Sequence, residues 1–100
     1  MNVLYELEIK EEAFLEIKEA YDYYEYKKKG LGIRFIETLE VYIERVKKYP
    51  EHYQIKRKPY REAPIKDFPF VIIYEIDNHN VIVYSVFNTW RNPVKKPKNK

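Results

Sequence analysis

Apolar and polar residues change their spacing along this chain, and the changes divide it into structural elements. Over residues 3–9 they alternate, with one apolar and one acidic face, which predicts a half-buried strand. Over residues 11 to about 28 the apolar positions recur at spacings of three and four, which predicts an amphipathic helix. Those apolar positions are Ala13, Phe14, Ile17, Ala20, Tyr21 and Tyr24.

The only two glycines of the chain, Gly30 and Gly32, predict where this first helix ends. A second helical pattern then continues to about Tyr49, and Pro50 ends it because proline cannot continue a helix interior. Its apolar stripe is formed by Phe35, Leu39, Tyr42, Ile43, Val46 and Tyr49. Two helices joined by a short glycine turn predict an antiparallel helical hairpin.

After the second helix, the pattern becomes that of strands. Residues 53–57 form a short candidate strand, and residues 61–66 form another, which Pro64 makes an edge or irregular strand. Residues 70–76 and 81–88 are apolar in both registers, as in strands buried on both faces. The turn-forming residues between them predict that these two strands form a β-hairpin.

Together these elements predict a single α+β domain over residues 1–93. We expect a small antiparallel β-sheet of three to five strands, with the N-terminal helical hairpin packed on one face. Because two helices cannot cover both faces, the second apolar face requires another chain or a terminal segment. Residues 94–100 contain four lysines and no apolar period, and we expect them to form a flexible basic tail.

Composition narrows the range of functions. A chain of 100 residues fits one domain with one core, and the lack of cysteine excludes disulfides, thiol catalysis and thiolate metal sites. Neither a glycine-rich phosphate loop nor a metal-ligand cluster is visible, so we expect no cofactor and no metal. The chain has no run of eighteen apolar residues and no signal-peptide pattern, which predicts a soluble cytoplasmic protein with no membrane contact.

The net charge of +3 is distributed unevenly. Residues 1–25 carry eight acidic and two basic residues, whereas residues 54–100 carry four acidic and ten basic residues. One interpretation is that these charges only keep the protein soluble. The other is that the C-terminal half presents a basic surface to nucleic acid or an acidic protein, with the acidic helix held away from it.

A series of short landmarks follows the chain in a characteristic order and spacing. They are Tyr23-Tyr24, Leu31-Gly32 with Phe35, Tyr49-Pro50, Tyr60-Arg61, Phe68-Pro69-Phe70 with Tyr74, Val86-Phe87, and Arg91-Asn92-Pro93. Over roughly residues 3–93 this series resembles the RelE/ParE toxin superfamily, the toxin halves of bacterial type II toxin–antitoxin pairs. The resemblance is closest to the ParE-like, plasmid-stabilisation branch.

The resemblance implies a toxin that inhibits growth and is neutralised by a cognate antitoxin, a separate small protein that wraps around it. One branch of the superfamily cuts mRNA in the ribosome, and another poisons DNA gyrase. The target is therefore expected to be either DNA gyrase or the ribosome with its mRNA. Assembly as a dimer or as a hetero-oligomer with the antitoxin stays open.

Two positions depart from the pattern of the ribosome-dependent members. Those members usually carry an arginine on the strand before the tyrosine that Tyr74 matches, and this chain has Val71 there. Many also carry a histidine at the end of the last strand, where this chain has Asn88. Valine cannot bind phosphate and asparagine cannot act as a general base, so both changes disfavour RNA cleavage.

Metal-free RNA cleavage would need a base, an acid and cations on the phosphate. The candidate catalytic residues are Arg61 and Arg91. Candidate contacts to the target or to nucleic acid are Lys56, Arg57, Lys58, Tyr60, Tyr84, Asn88 and Trp90. The rings of Tyr60, Tyr84 and Trp90 could stack on bases. Each has a structural alternative, since lysines protect sheet edges and arginines pack on aromatic rings. His52 and His79 lie in predicted loops and are poorly placed as bases.

Three functions therefore stay open. The first is a ParE-like toxin that acts on a macromolecular target through the basic C-terminal half. The second is a ribosome-dependent mRNA endonuclease of the RelE type, and the third is a non-toxic interaction module that kept the fold.

Overall fold

The chain folds into two α-helices and five strands over residues 4–91 and 96–97, which are the residues that the computed structural model describes. The elements are β1 (Glu6–Ile9), α1 (Glu11–Lys27), α2 (Leu31–Lys48), a 3-10 turn (Pro50–His52), β2 (Ile55–Arg57), β3 (Tyr60–Pro64), β4 (Phe70–Asp77) and β5 (Asn80–Asn88). Each predicted helix and strand is present within a few residues of its expected bounds. Pro64 is the last residue of β3, so its missing N–H does not interrupt the strand.

The strand order is β1-β5-β4-β3-β2, which places the first strand of the chain beside the last. Neighbours from β2 to β5 pair antiparallel, whereas β1 pairs parallel with β5. The predicted α+β class is confirmed. The sheet was expected to be antiparallel, but it is mixed, because β1 and β5 run parallel. A short hairpin forces antiparallel pairing. Because β1 and β5 are far apart in the sequence, no local turn sets the direction in which β1 pairs.

The helical hairpin packs on one face of the sheet. Its turn is closed by the Glu25 carboxylate, which accepts the N–H groups of Gly30 and Gly32 at 2.9 Å each. Gly30 has a φ of 89°, which suits glycine, and Gly32 lets the helices approach closely. The core between the helices and the sheet includes Ala13, Ala20, Phe35, Leu39, Val46, Ala63, Ile72, Tyr74, Val81 and Val83.

The opposite face of the sheet, called here the second face, carries a smaller buried cluster. It consists of Tyr60, Val71, Ile73 and Phe87, and no helical residue belongs to it within the described part of the chain. All four are at most 7% exposed, so the centre of this face is covered within the protein. The sequence predicted another chain or a terminal segment as the cover of this face. One contact of the second kind is described, since Lys96 Nζ lies 5.5 Å from the centre of the Phe87 ring.

Candidate functional site

A groove of about 780 Å³ opens beside α1, between the start of α2, the start of β4 and the end of β5. We call it the α1 groove. Ala20, Tyr24, Phe68, Phe70 and Val86 are among the apolar residues that line it. Two aromatic side chains on its rim, Tyr23 and Trp90, are 53% and 82% exposed.

The turn after β5 brings three of the predicted site residues to this groove. Asn88 Oδ1 accepts the N–H of Trp90 at 2.9 Å, and the Asn88 carbonyl accepts the N–H of Arg91 at 3.0 Å. Asparagine closes turns in this way because its short side chain reaches the backbone two residues ahead. Asn88 therefore positions Trp90 and Arg91 at the groove, and its side-chain oxygen is used in doing so.

Four of the charged side chains that line the groove form ion pairs within the chain. Arg91 Nη2 lies 2.6 Å from Glu19 Oε1 on α1, and Arg34 Nη2 lies 3.7 Å from Asp67 Oδ2. The expectation that the acidic helix is held away from the basic C-terminal half is therefore wrong at Arg91. With these pairs formed, the groove offers mainly apolar and aromatic surface to a ligand.

A second acidic residue of α1, Glu16, reaches β5 beside the groove. Its Oε1 accepts the Ser85 hydroxyl at 2.7 Å and the Val86 N–H at 3.0 Å. Burial raises the pKa of Glu16 above its usual value, and the two hydrogen bonds oppose this effect. These contacts lie next to the irregularity in the β4–β5 register, where a regular ladder is interrupted. Glu16 thus joins α1 to the sheet at the point where the sheet is least regular.

Arg61 lies elsewhere, on the face of the sheet that carries the helices. Its Nη1 donates to the Tyr53 carbonyl at 2.7 Å and approaches the Glu51 carbonyl at 3.5 Å. Close by, the Tyr74 hydroxyl donates to the Pro50 carbonyl at 2.5 Å, and burial raises the pKa of Tyr74. Arg61 and Tyr74 therefore hold the segment after α2 against the sheet.

The structure does not bring the two candidate catalytic arginines together. In the register of the sheet, Arg61 lies opposite Tyr74, and Tyr74 lies opposite Val83 on β5. From Val83 to the end of β5 at Asn88 is about 17 Å at ~3.3 Å per residue, and Arg91 lies beyond that end. Each arginine also has its own partners, so the geometry contains no joint site for both.

The lysines predicted as target contacts lie at the edge of the sheet. Lys56 and Lys58 flank Arg57 at the connection between β2 and β3, and both are exposed. The Arg57 guanidinium differs, because its Nε and Nη2 are buried and have no hydrogen-bond partner among the described residues. Lys56 and Lys58 are therefore the predicted cations that are exposed and form no ion pair with a described residue, and we call them the β2–β3 cations.

The two tyrosines predicted as base-stacking residues pack within the protein. Tyr60 is 6% exposed, and its ring centre lies 5.4 Å from that of Tyr84 on the second face. The Tyr84 hydroxyl donates to Glu75 Oε1 at 2.7 Å, and this bond raises the pKa of Tyr84. Val71, at the position of the missing arginine, is 7% exposed on the same face.

Neither histidine lies in the α1 groove beside Arg91. His79 is exposed in the β4–β5 turn, at the opposite end of β5 from Arg91. His52 is exposed in the 3-10 turn, with its ring against Tyr53. Within the described ranges, no group of three histidine or acidic side chains is placed to hold a metal, and no helix could span a membrane.

The sequence matches, over residues 7–93, the model of a family described as the ParE toxin of type II toxin–antitoxin systems, parDE. The chain belongs to this ParE toxin family. Its fold is similar to that in a solved structure of the chromosomal ParDE toxin–antitoxin system from P. aeruginosa, with a TM-score of 0.77. That similarity covers 85% of this chain and 96% of the other chain at 9% sequence identity, so it concerns the fold alone. No curated protein matches this chain.

Sequence reasoning missed the contribution of α1 to the site of this ParE-family toxin. Glu16 and Glu19 contact residues about seventy positions away, and in the sequence they only look like part of a solvated acidic helix face. One signal was available, since Glu16, Glu19 and Tyr23 follow one another at helical spacing beside the core positions. That spacing defines the wall of the groove, but it does not identify what lies opposite.

Proposed function

We propose that this ParE-family toxin inhibits growth by binding a macromolecular target through the β2–β3 cations. The observation that carries the proposal is the exposure of Lys56 and Lys58. Neither forms an ion pair among the residues that the structure describes, whereas Arg61 and Arg91 have partners within the chain. Cations exposed at a sheet edge are suited to meet an acidic macromolecular surface.

We propose DNA gyrase as the target, in preference to mRNA in the ribosome. RNA cleavage needs a general base and cations focused on one phosphate, and the arrangement of residues in this chain gives little support to either requirement. Arg61 and Arg91 belong to different sites, and Asn88 uses its amide to close a turn. A toxin that binds and blocks its target needs neither a base nor a joint arginine site.

The α1 groove is where we propose that the cognate antitoxin binds. Trp90 and Tyr23 present large aromatic surface on the groove rim, and exposed surface of this kind is typical of interaction sites. Because Arg34 and Arg91 at the groove already form ion pairs, an antitoxin segment with an apolar face fits it best.

The first experiment tests toxicity and its surface. Expression of the wild-type chain without antitoxin is compared with Lys56→Gln/Lys58→Gln, and with Lys28→Gln/Lys29→Gln as a control that removes the same charge elsewhere. We expect growth arrest with the wild type and the control, and relief of arrest with the first pair. If the folded wild-type protein does not slow growth, the chain is an interaction module and not an active toxin.

The second experiment identifies the target with purified protein. We expect inhibition of supercoiling by gyrase, and no new 5′ ends on a translated mRNA. New 5′ ends that depend on Arg61 and Arg91 would instead establish the endonuclease alternative.

The antitoxin surface is tested separately, by measuring how the cognate antitoxin binds the toxin variants and restores growth. Trp90→Ala is expected to weaken binding of the antitoxin by at least about tenfold, as removal of an aromatic anchor does. Tyr26→Ala is the matched control, because Tyr26 is 88% exposed on α1 and does not line the groove. Equal effects of the two substitutions would exclude the α1 groove as the antitoxin site.

A further inference from the structure

The outer face of α1 carries two large apolar side chains that are mostly exposed. Leu15 is 60% exposed and Tyr26 is 88% exposed. Between them lie Lys18 and Asp22, whose side chains are 73% and 57% exposed and whose Nζ and Oδ2 atoms are 2.8 Å apart. We call these four residues the α1 outer face.

The α1 outer face occupies one side of the helix. Its residues follow one another at spacings of three, four and four, which places them within a sector of about 80° at about 100° per residue. Ala13 and Ala20, the buried residues of α1, lie on the opposite side of the same helix. The outer face is therefore directed away from the core, and none of its four residues lines the α1 groove.

The order of side chains on this face is symmetric about residue 20. Lys18 and Asp22 lie two residues before and after this midpoint. Leu15 lies five residues before it and Tyr26 six residues after it, which is about 7.5 Å and about 9 Å along the axis at about 1.5 Å per residue. A second α1 helix placed antiparallel about this midpoint would bring Leu15 level with the partner's Tyr26, and Lys18 level with the partner's Asp22.

We propose that the α1 outer face is the interface of a symmetric dimer, in which two copies of this chain pack antiparallel through α1. In a twofold contact, residue i meets residue j and residue j meets residue i, so one self-complementary face supplies both halves. Each Leu15 packs against the partner's Tyr26, and each Lys18 lies between its own Asp22 and the partner's Asp22. The acidic first turn of α1 then lies beside the basic last turn of the partner helix, which adds charge complementarity at both ends.

The outer face of α2 shows that this symmetry is not a general property of the exposed helical surface. It also carries two exposed apolar residues, Ile33 and Val41, each 50% exposed. The midpoint between them is Glu37, which is exposed and would meet its own copy across a twofold axis. Like charges at that point oppose pairing, so α2 lacks the self-complementarity of α1.

The size of the proposed contact determines how strong the dimer is. One face of the 17-residue helix α1 is about 25 Å long at about 1.5 Å per residue, so the contact is smaller than an obligate interface. Its ion pairs are exposed and therefore screened by salt. We expect a dimer that forms reversibly with concentration and weakens as ionic strength rises. Because the contact includes neither the α1 groove nor the β2–β3 cations, it does not depend on the proposed target or antitoxin sites.

Sedimentation equilibrium of the purified toxin over a concentration series tests for the dimer. Up to about 1 mM, where even weak complexes form, we expect the apparent mass to rise from that of one chain toward that of two. Leu15→Glu should weaken association at least about tenfold, because it replaces an apolar contact with a charge twice in the twofold interface. Val41→Glu places the same charge at an exposed apolar position of α2, and this control should associate as the wild type does.

Charge reversal tests the antiparallel register. Lys18→Glu makes positions 18 and 22 both acidic, and Asp22→Lys makes them both basic, so each variant alone should associate at least about tenfold more weakly than the wild type. An equimolar mixture of the two variants should form a heterodimer, because every central contact across the axis then joins opposite charges. The ion pair within each helix stays broken in this mixture, so the recovery measures the contact between chains and not the stability of the helix.

Two results would overturn the proposal. One is a wild-type toxin that stays monomeric throughout the concentration series. The other is a dimer that does not follow the charges: either both reversed variants associate as tightly as the wild type, or their mixture associates no better than each variant alone. In that case the two chains would meet through another surface or in another register.

Discussion

Glu16 offers the sharpest test of how α1 is attached to the sheet. Replacing it with alanine removes the acceptor of the Ser85 hydroxyl and of the Val86 N–H. Ser85 is 5% and Val86 is 1% exposed, so water cannot easily take the place of the lost carboxylate. Replacing Glu16 with glutamine keeps an oxygen acceptor of the same reach and removes only the charge.

The magnitude follows from the unpaired donors. A buried donor left unsatisfied costs about 1–3 kcal/mol, and two donors are affected in Glu16→Ala. Part of this cost is offset, because the hydroxyl can rotate and the burial of a carboxylate is avoided. We therefore expect Glu16→Ala to lower the free energy of unfolding by about 2 kcal/mol, or on the order of 10 °C in Tm. Glu16→Gln should stay within about 1 kcal/mol of the wild type.

The pH dependence has a defined sign. Burial raises the pKa of Glu16 in the folded chain above its usual value of 4.5. Between the two values the native state binds more protons than the unfolded state, so this group contributes stability in acid that is lost as pH rises through the folded pKa. The difference in unfolding free energy between Glu16→Gln and the wild type should therefore shift in favour of Glu16→Gln from about pH 4.5 upward.

The assay is urea denaturation of the three proteins across this pH range, with Ser85→Ala added to measure coupling in a double-mutant cycle. Two results would refute the reasoning. One is a Glu16→Gln protein as unstable as Glu16→Ala at neutral pH, and the other is a difference from the wild type that does not change with pH.

Four further predictions concern the helical turn and the segment after α2. Gly32→Ala should destabilise by about 1–2 kcal/mol in spite of its better helix propensity, because the new Cβ would lie 2.8 Å from a carbonyl oxygen of α1. Gly30→Ala meets no atom within 4 Å and should cost about 1 kcal/mol through its positive φ alone. Tyr74→Phe leaves the carbonyl after α2 unpaired and should lower the free energy of unfolding by about 1–2 kcal/mol, seen as a lower urea midpoint with an unchanged m-value. The hydrogen bonds from the glycine turn lower the pKa of Glu25, so its contribution to stability should be present at neutral pH and disappear in acid, and Glu25→Gln should remove this acid sensitivity.

Three of these predictions have a clear contradicting result. A neutral Gly32→Ala would mean that the helices separate freely at the turn. A Tyr74→Phe protein of wild-type stability would mean that water replaces the phenolic group, and an unchanged acid transition in Glu25→Gln would assign that sensitivity to other carboxylates.

The helices and hairpins of this fold could be predicted because their signals are local. Spacings of three and four, two glycines and one proline define the helical hairpin, and a turn between two apolar runs defines β4 and β5. The pairing of β1 could not be predicted in the same way. It joins Glu6 to Asn80, and no residue near either position encodes the direction of a strand that arrives from so far away.

The candidate site could be predicted only in part, for a related reason. Asn88, Trp90 and Arg91 were identified by type, but their role depends on α1, whose carboxylates look solvent-facing in the sequence. Arg61 was identified as a cation, yet it binds main-chain carbonyls, which every residue has and no motif reveals. The covering of the second face by Lys96 depends on a lysine in a lysine-rich tail, where composition does not distinguish one residue from the next.

The parallel contact between β1 and β5 also has a consequence for how the protein is made. The first strand to leave the ribosome pairs with residues 80–83, so it must wait for nearly the whole chain before it has a neighbour. A nascent chain that stops before β5 can form the helical hairpin but leaves two strand positions of the sheet empty. The sheet therefore cannot form until β5 has been synthesised. A product that terminates before β5 should be degraded by proteases and should not be partly active.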